Sequence, residues 1–175
     1  MFTFQYHILD ESKNEIMNGD NNYFEDFDGQ IELHFNNSQY GHIYPSISSY
    51  NELMLWWFKI LNTVAIKLIE NDYVAFYVPD IIIWMQIFKK GDYCIINEVE
   101  PDENSLSNKL ITTNKLYNYR EITQGEQISV KEFVSEINKK TKSFIKELID
   151  INPKVEQSEQ LEDIIKLNHK LQGLI

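Results

Sequence analysis

Ile81-Ile82-Ile83-Trp84-Met85-Gln86-Ile87-Phe88-Lys89-Lys90-Gly91-Asp92-Tyr93-Cys94-Ile95-Ile96 is two apolar runs joined by a charged break that contains a glycine. Runs this rich in β-branched and aromatic residues read as strands. Lys89-Lys90-Gly91-Asp92 between them is a hairpin signal, because Gly91 enters positive φ without a Cβ penalty. The first run falls far short of the roughly 20 residues that a membrane-spanning helix needs, and Pro79-Asp80 bounds it, so it is a core segment. With a further run before it, three strands are predicted at about 73–78, 81–88 and 93–99, and another short strand or two at 109–123.

Working outward, Phe2, Phe4, Tyr6 and Ile8 alternate with Thr3, Gln5 and His7, the period of a strand with one buried face. Ile31, Leu33 and Phe35 alternate in the same way, which predicts a strand at about 30–36 that forms a meander with the first. Residues 10–29 are polar and acidic, with turn signals at Asn18-Gly19-Asp20-Asn21-Asn22 and Asp28-Gly29, and read as loop with room for a short strand at 22–27. Leu53, Trp56, Trp57, Ile60, Leu61, Val64, Leu68 and Ile69 recur at helical spacing and predict a helix at about 49–70, capped by Ser48 or Ser49 and buried on more than one side. Ser129-Val130-Lys131-Glu132 has capping-box spacing and opens a second helix at 129–151, which Asn152-Pro153 ends.

These blocks predict one α+β domain over 1–152, a mainly antiparallel sheet packed against two long helices. Residues 153–175 form a helical tail, with Leu161, Ile164, Ile165, Leu167 and Leu171 on its apolar side and Gly173 as C-cap. Such a tail docks on the body, on a partner or on another copy. Its place after Pro153 and a polar stretch predicts a segment dispensable for folding.

The 175 residues include 43% hydrophobic and 13% aromatic side chains, ample for a core without disulfides or metal. Cys94 is the only cysteine, and the amino terminus lacks the basic start and apolar run of a secretory signal, so a cytoplasmic protein is expected. Twenty-seven acidic against 16 basic residues give a net charge of −11, and Arg120 is the only arginine. That balance repels phosphate backbones and argues against nucleic acid, while it suits a basic protein partner.

Catalytic and metal signatures are missing from the sequence. His7, His34, His42 and His169 are scattered, with His7 and His34 on strands that would place them as surface neighbours, and no second cysteine joins Cys94. The acidic stretch 20–32 lacks the glycine and the alternating acids of an EF-hand loop. Cys94 lies in an apolar strand, as a small buried hydrophobe does. No nucleophile elbow, phosphate loop or dinucleotide fingerprint occurs, so no cofactor and no metal is expected. Trp56-Trp57 reads first as buried area on a wide apolar face and second as a binding hot spot.

The acids interleaved with aromatics are more informative. Tyr23, Glu25, Asp26 and Asp28 form one cluster, and Glu98, Glu100, Asp102 and Glu103 a second. Both fall in or beside connecting loops, where charged and aromatic groups can steer and hold a basic partner. The layout of the strands Phe2-Thr3-Phe4-Gln5-Tyr6 and Ile31-Glu32-Leu33-His34-Phe35, the helix around Leu53-Met54-Leu55-Trp56-Trp57, the 73–99 strands and the Ser129-Val130-Lys131-Glu132-Phe133-Val134 helix resembles the immunity proteins of bacterial polymorphic-toxin and contact-dependent-inhibition systems. The resemblance spans about residues 1–150 and lies in layout, with no motif to carry over residue by residue. It implies a non-catalytic protein that binds and neutralises a toxin domain, often a nuclease. The alternatives are an adaptor or self-associating structural domain of bacterial or phage origin, with association through the C-terminal helix, and, behind both, an enzyme without recognisable motifs.

Overall fold

In the computed structural model the described residues are 1–19, 25–45, 51–78, 82–101, 110–123 and 125–175. Among these residues two antiparallel sheets and four α-helices make an α+β fold. The first sheet has β1 (Phe2–Ile8) beside β2 (Asp28–Phe35), β2 beside β3 (Ser38–Gly41), and the short β4 (Glu52–Leu53) against the start of β2. The meander of β1 and β2 is as the alternation predicts, with Phe4 opposite Leu33 and Tyr6 opposite Ile31. The second sheet runs in the order β10 (Glu126–Ser129), β7 (Tyr93–Pro101), β6 (Ile83–Lys90), β5 (Tyr73–Val78) and β8 (Ile111–Thr112), with β9 (Tyr119–Glu121) also paired to β7. The β6–β7 hairpin turns at Gly91, whose φ is +61°, and pairs Lys90 with Tyr93.

Two sheets replace the single one expected, because the chain crosses the body as a helix between its two strand blocks. They meet at the β2–β3 turn, where Asn36 Nδ2 donates to the Gln127 carbonyl at 2.7 Å and Ser38 Oγ donates to Glu126 at 3.2 Å. The second sheet is buried on both faces, which explains its near-continuous apolar strands. Val74, Phe76, Met85, Ile87, Cys94 and Ile96 face the main core, while Tyr73, Ala75, Trp84 and Val99 make a smaller one with Leu116 and Tyr119.

α1 (Asp10–Asn18) stands where the sequence reads as loop. It has no apolar stripe to read: only Ser12 and Ile16, one turn apart, are buried. Acids in its first turn suit the helix dipole. Its end is held from far away, since Asn152 Nδ2 donates to the carbonyls of Ile16 at 2.8 Å and Gly19 at 3.2 Å.

α2 (Met54–Glu70) is the central helix, with Met54, Trp57, Phe58, Val64, Ala65 and Leu68 wholly buried. It begins five residues later than the periodicity predicts, because Glu52 and Leu53 pair with Gly29 and Asp28 as strand. Ser48 and Ser49, the expected caps, lie outside the described residues. α3 (Val130–Ile151) opens as read: Ser129 Oγ accepts from the Glu132 N–H at 3.4 Å. The Glu132 carboxylate lies 3.8 Å from the Met1 amino nitrogen. Phe144 of α3 stacks on Phe58 of α2 with centroids 3.8 Å apart.

A 3-10 turn at Pro153–Gln157 leads to α4 (Glu159–Gln172), capped by Ser158 Oγ through the Leu161 N–H and closed by Gly173. α4 docks on the body. Leu161, Ile164 and Leu171 have no exposed surface and belong to the main core, as does Val155 in the turn before it.

Candidate functional site

Asp26 does not stand free on a loop. Its Oδ1 accepts from the Leu55 N–H at 2.7 Å and its Oδ2 from the Trp56 N–H at 2.9 Å, while its own neighbour Phe27 donates to Oδ1 at 2.9 Å. It therefore caps α2 from a point 29 residues upstream of Leu55. Leu53, at the conventional cap position, makes no side-chain cap. A helix start needs such acceptors for its first N–H groups. Burial pushes the Asp26 carboxyl above its ordinary pKa, and the three backbone N–H groups only partly offset this.

Around that cap lies a cleft of about 370 Å³ lined by Asp26, Leu55, Trp56 and Lys59 on one side and by Glu159, Gln160 and Asp163 on the other. It exists because the start of α4 packs beside the start of α2. Trp56 is half-buried and stands edge-on to Trp57, centroids 5.1 Å apart at 90°. Trp57 is fully buried and donates its indole N–H to Glu52 at 2.7 Å, so it anchors the core while its neighbour reaches the cleft. Lys59 Nζ lies 2.8 Å from Asp163 Oδ2 across the cleft, and Lys59 holds the Asp163 carboxyl below its usual value. Glu25 and Asp28 are exposed nearby in sequence, with Asp28 accepting from Asn51 at 3.0 Å.

The second predicted cluster is elsewhere. Glu98 turns to the same side of β7 as Ile96 and lines a narrow crevice with Phe35, Ser38, Met85, Thr123 and Glu126. Its carboxyl is pushed up by burial. Glu100 forms an exposed ion pair with Arg120. Asp28 begins β2 and Phe35, beside Glu98, ends it, so the two clusters are separated by about the length of that strand, roughly 23 Å. They do not form one patch. Tyr23, Asp102 and Glu103 lie outside the described residues.

The cleft residues that the sequence reading omits are Lys59, Glu159, Gln160 and Asp163. Glu159 and Asp163 were visible as acids in the first turns of a capped helix, but nothing local says that this helix folds back onto α2. His7 and His34 are also not neighbours: His34 faces Thr3 across the ladder and His7 faces Gln30. Cys94 is buried, and burial pushes its thiol up to about 12. Among the described residues no group of three or more His, Cys, Asp or Glu side chains is arranged to hold a metal, and no helix is long and apolar enough to cross a membrane.

No protein-family model, curated protein or solved structure matches the chain.

Proposed function

We propose that this chain is a non-catalytic binding protein of the immunity type, which captures and neutralises a basic toxin domain in the cytoplasm through an acidic surface. The observation that supports this most is the gathering of Asp26, Glu159 and Asp163, from separate parts of the chain, around the half-buried Trp56. Acids steer a basic partner into encounter, and a fixed tryptophan supplies contact area where it lands. Exposed Glu25 and Asp28 extend the same charge toward solvent. The net charge of −11 favours a basic partner over a nucleic acid.

The test is association kinetics with the basic carboxy-terminal domain of a secreted protein encoded beside this gene. Glu25→Lys, Asp28→Lys and Glu159→Lys should each slow association at low salt, and the loss should shrink as salt rises, since screening already removes steering. Asp26 stays unchanged in this test because its reversal would uncap α2. Rates unaffected by every reversal at low salt would remove the acidic-surface reading.

A second reading, self-association through the end of α4, has one observation in its favour. Exposed Leu174 and Ile175 line a cleft of about 720 Å³ with Ile69, Val130 and Val134. Sedimentation velocity over a concentration series separates a monomer from a self-associating chain.

A further inference from the structure

We infer that the Trp56 cleft is the seat of a single cationic side chain, arginine or lysine, projected by the partner, and that Lys59 holds its place in the free protein. The inference rests on the acidic-surface reading and narrows it to one pocket. Two carboxylates, Glu159 and Asp163, face one ammonium, Lys59, beside the apolar wall of Leu55 and Trp56, while Asp26 lines the same cleft with both oxygens held by the Leu55 and Trp56 N–H groups. An aromatic face flanked by carboxylates favours cations and repels phosphate or carboxylate groups.

The helix starts do not use up the charge of Glu159 and Asp163. α2 is capped by Asp26 and α4 by Ser158, so Glu159 and Asp163 are not needed as caps. Lys59 shows that a cation fits: its Nζ is 2.8 Å from Asp163 Oδ2. That pair is also exchangeable. The two side chains are 54% and 43% exposed, and an ion pair so open to water is weak enough for an incoming cation to displace. A cleft of about 370 Å³ admits a side chain without rearrangement of the core.

The experiment is a titration of the full chain with acetylated tri-arginine amide, following the Trp56 indole N–H by NMR at low salt, with tri-glutamate as the opposite-charge control. Tri-arginine should give a saturable shift at Trp56 that tri-glutamate does not, while the buried indoles of Trp57 and Trp84 stay put. Lys59→Met, which frees Asp163, should tighten binding about two- to fivefold, the range an exposed ion pair is worth, and Asp163→Asn should weaken it similarly. Lys131→Met makes the same change of net charge in the first turn of α3, beside Leu174 and Ile175 beyond the far end of α4, a helix about 21 Å long, and should have less effect than Lys59→Met. No saturable shift at Trp56, or a Lys59→Met gain no larger than that of Lys131→Met, would overturn the inference. If it falls while Glu25 and Asp28 reversals still slow the toxin partner, the acidic surface stands without a pocket. If tri-arginine binds as described and those reversals do nothing, the cation pocket stands and the steering role falls.

Discussion

Asn62, at the centre of α2, donates its side-chain amide to Thr141 Oγ1, at the centre of α3, across 2.8 Å, and neither residue has any exposed surface. The second amide hydrogen of Asn62 goes to the Phe58 carbonyl at 2.7 Å, and the Thr141 hydroxyl goes to the Ile137 carbonyl at 2.8 Å. Asn168 of α4 joins them, donating to Asn62 Oδ1 at 3.5 Å and to Asn138 Oδ1 at 3.1 Å. One polar chain thus runs through the interface of three helices, and a satisfied buried network fixes how those helices register.

Thr141→Val keeps the shape of the side chain and removes the acceptor. One Asn62 N–H is then buried without a partner, at an expected cost of about 1–3 kcal/mol in urea unfolding. Adding Asn62→Leu removes the stranded donor, so the double variant should lose less than the sum of the singles. Full additivity would show that the two residues are not coupled.

α4 contributes core, not decoration. Leu161→Ala should cost about 2–5 kcal/mol, as truncating a fully buried leucine does. Deleting residues 158–175 strips Leu161, Ile164 and Leu171 from the shared core and Asn168 from the network, and should abolish or strongly lower the cooperative transition. A truncated chain that unfolds as cooperatively and at the same denaturant concentration as the full one would make the tail a separable unit.

The contrast between α4 and α1 shows what was legible in the sequence. The start and end of α4, like the cap of α3 and the β6–β7 hairpin, are set by neighbours within a few residues, Ser158 with Leu161 and Gly173 with His169. Local chemistry suffices there. α1 carries one buried aliphatic side chain, Ile16, and leans on Asn152, 136 residues away, for its C-terminal cap. The start of α2 likewise takes its cap from Asp26. The candidate site fails to read from sequence for the same reason: the acids of α4 meet Trp56 only after the tail has folded back.

Cys94 lies in β7 against the main core, and burial holds its thiol at a pKa of about 12. Thiolate is the reactive form, so the folded protein should resist iodoacetamide at mildly alkaline pH and take up one equivalent once denatured in urea. Rapid labelling of the native chain would mean that β7 opens locally.

Asp26 separates capping from charge. Asp26→Ala removes the acceptors of the Leu55 and Trp56 N–H groups and should cost about 0.5–2 kcal/mol. Asp26→Asn keeps one acceptor oxygen, enough for the Leu55 and Phe27 N–H groups, but turns its NH2 toward the Trp56 N–H, so at acid pH it should cost less than Asp26→Ala. The dependence on pH then has a definite sign. Burial raises the folded-state pKa of Asp26 above its unfolded value near 3.9, so the folded protein binds this proton more tightly than the unfolded chain does. The wild type accordingly loses stability relative to Asp26→Asn as pH rises from the unfolded value through the raised folded one, and the difference levels off above it. Other carboxylates, Glu98 included, titrate in both proteins and cancel. Urea unfolding of the two proteins across that interval should show Asp26→Asn gaining on the wild type toward neutral pH. A variant that instead fell steadily behind as pH rose would mean that the ionised carboxylate stabilises the fold, and that the helix N–H groups outweigh burial at this cap.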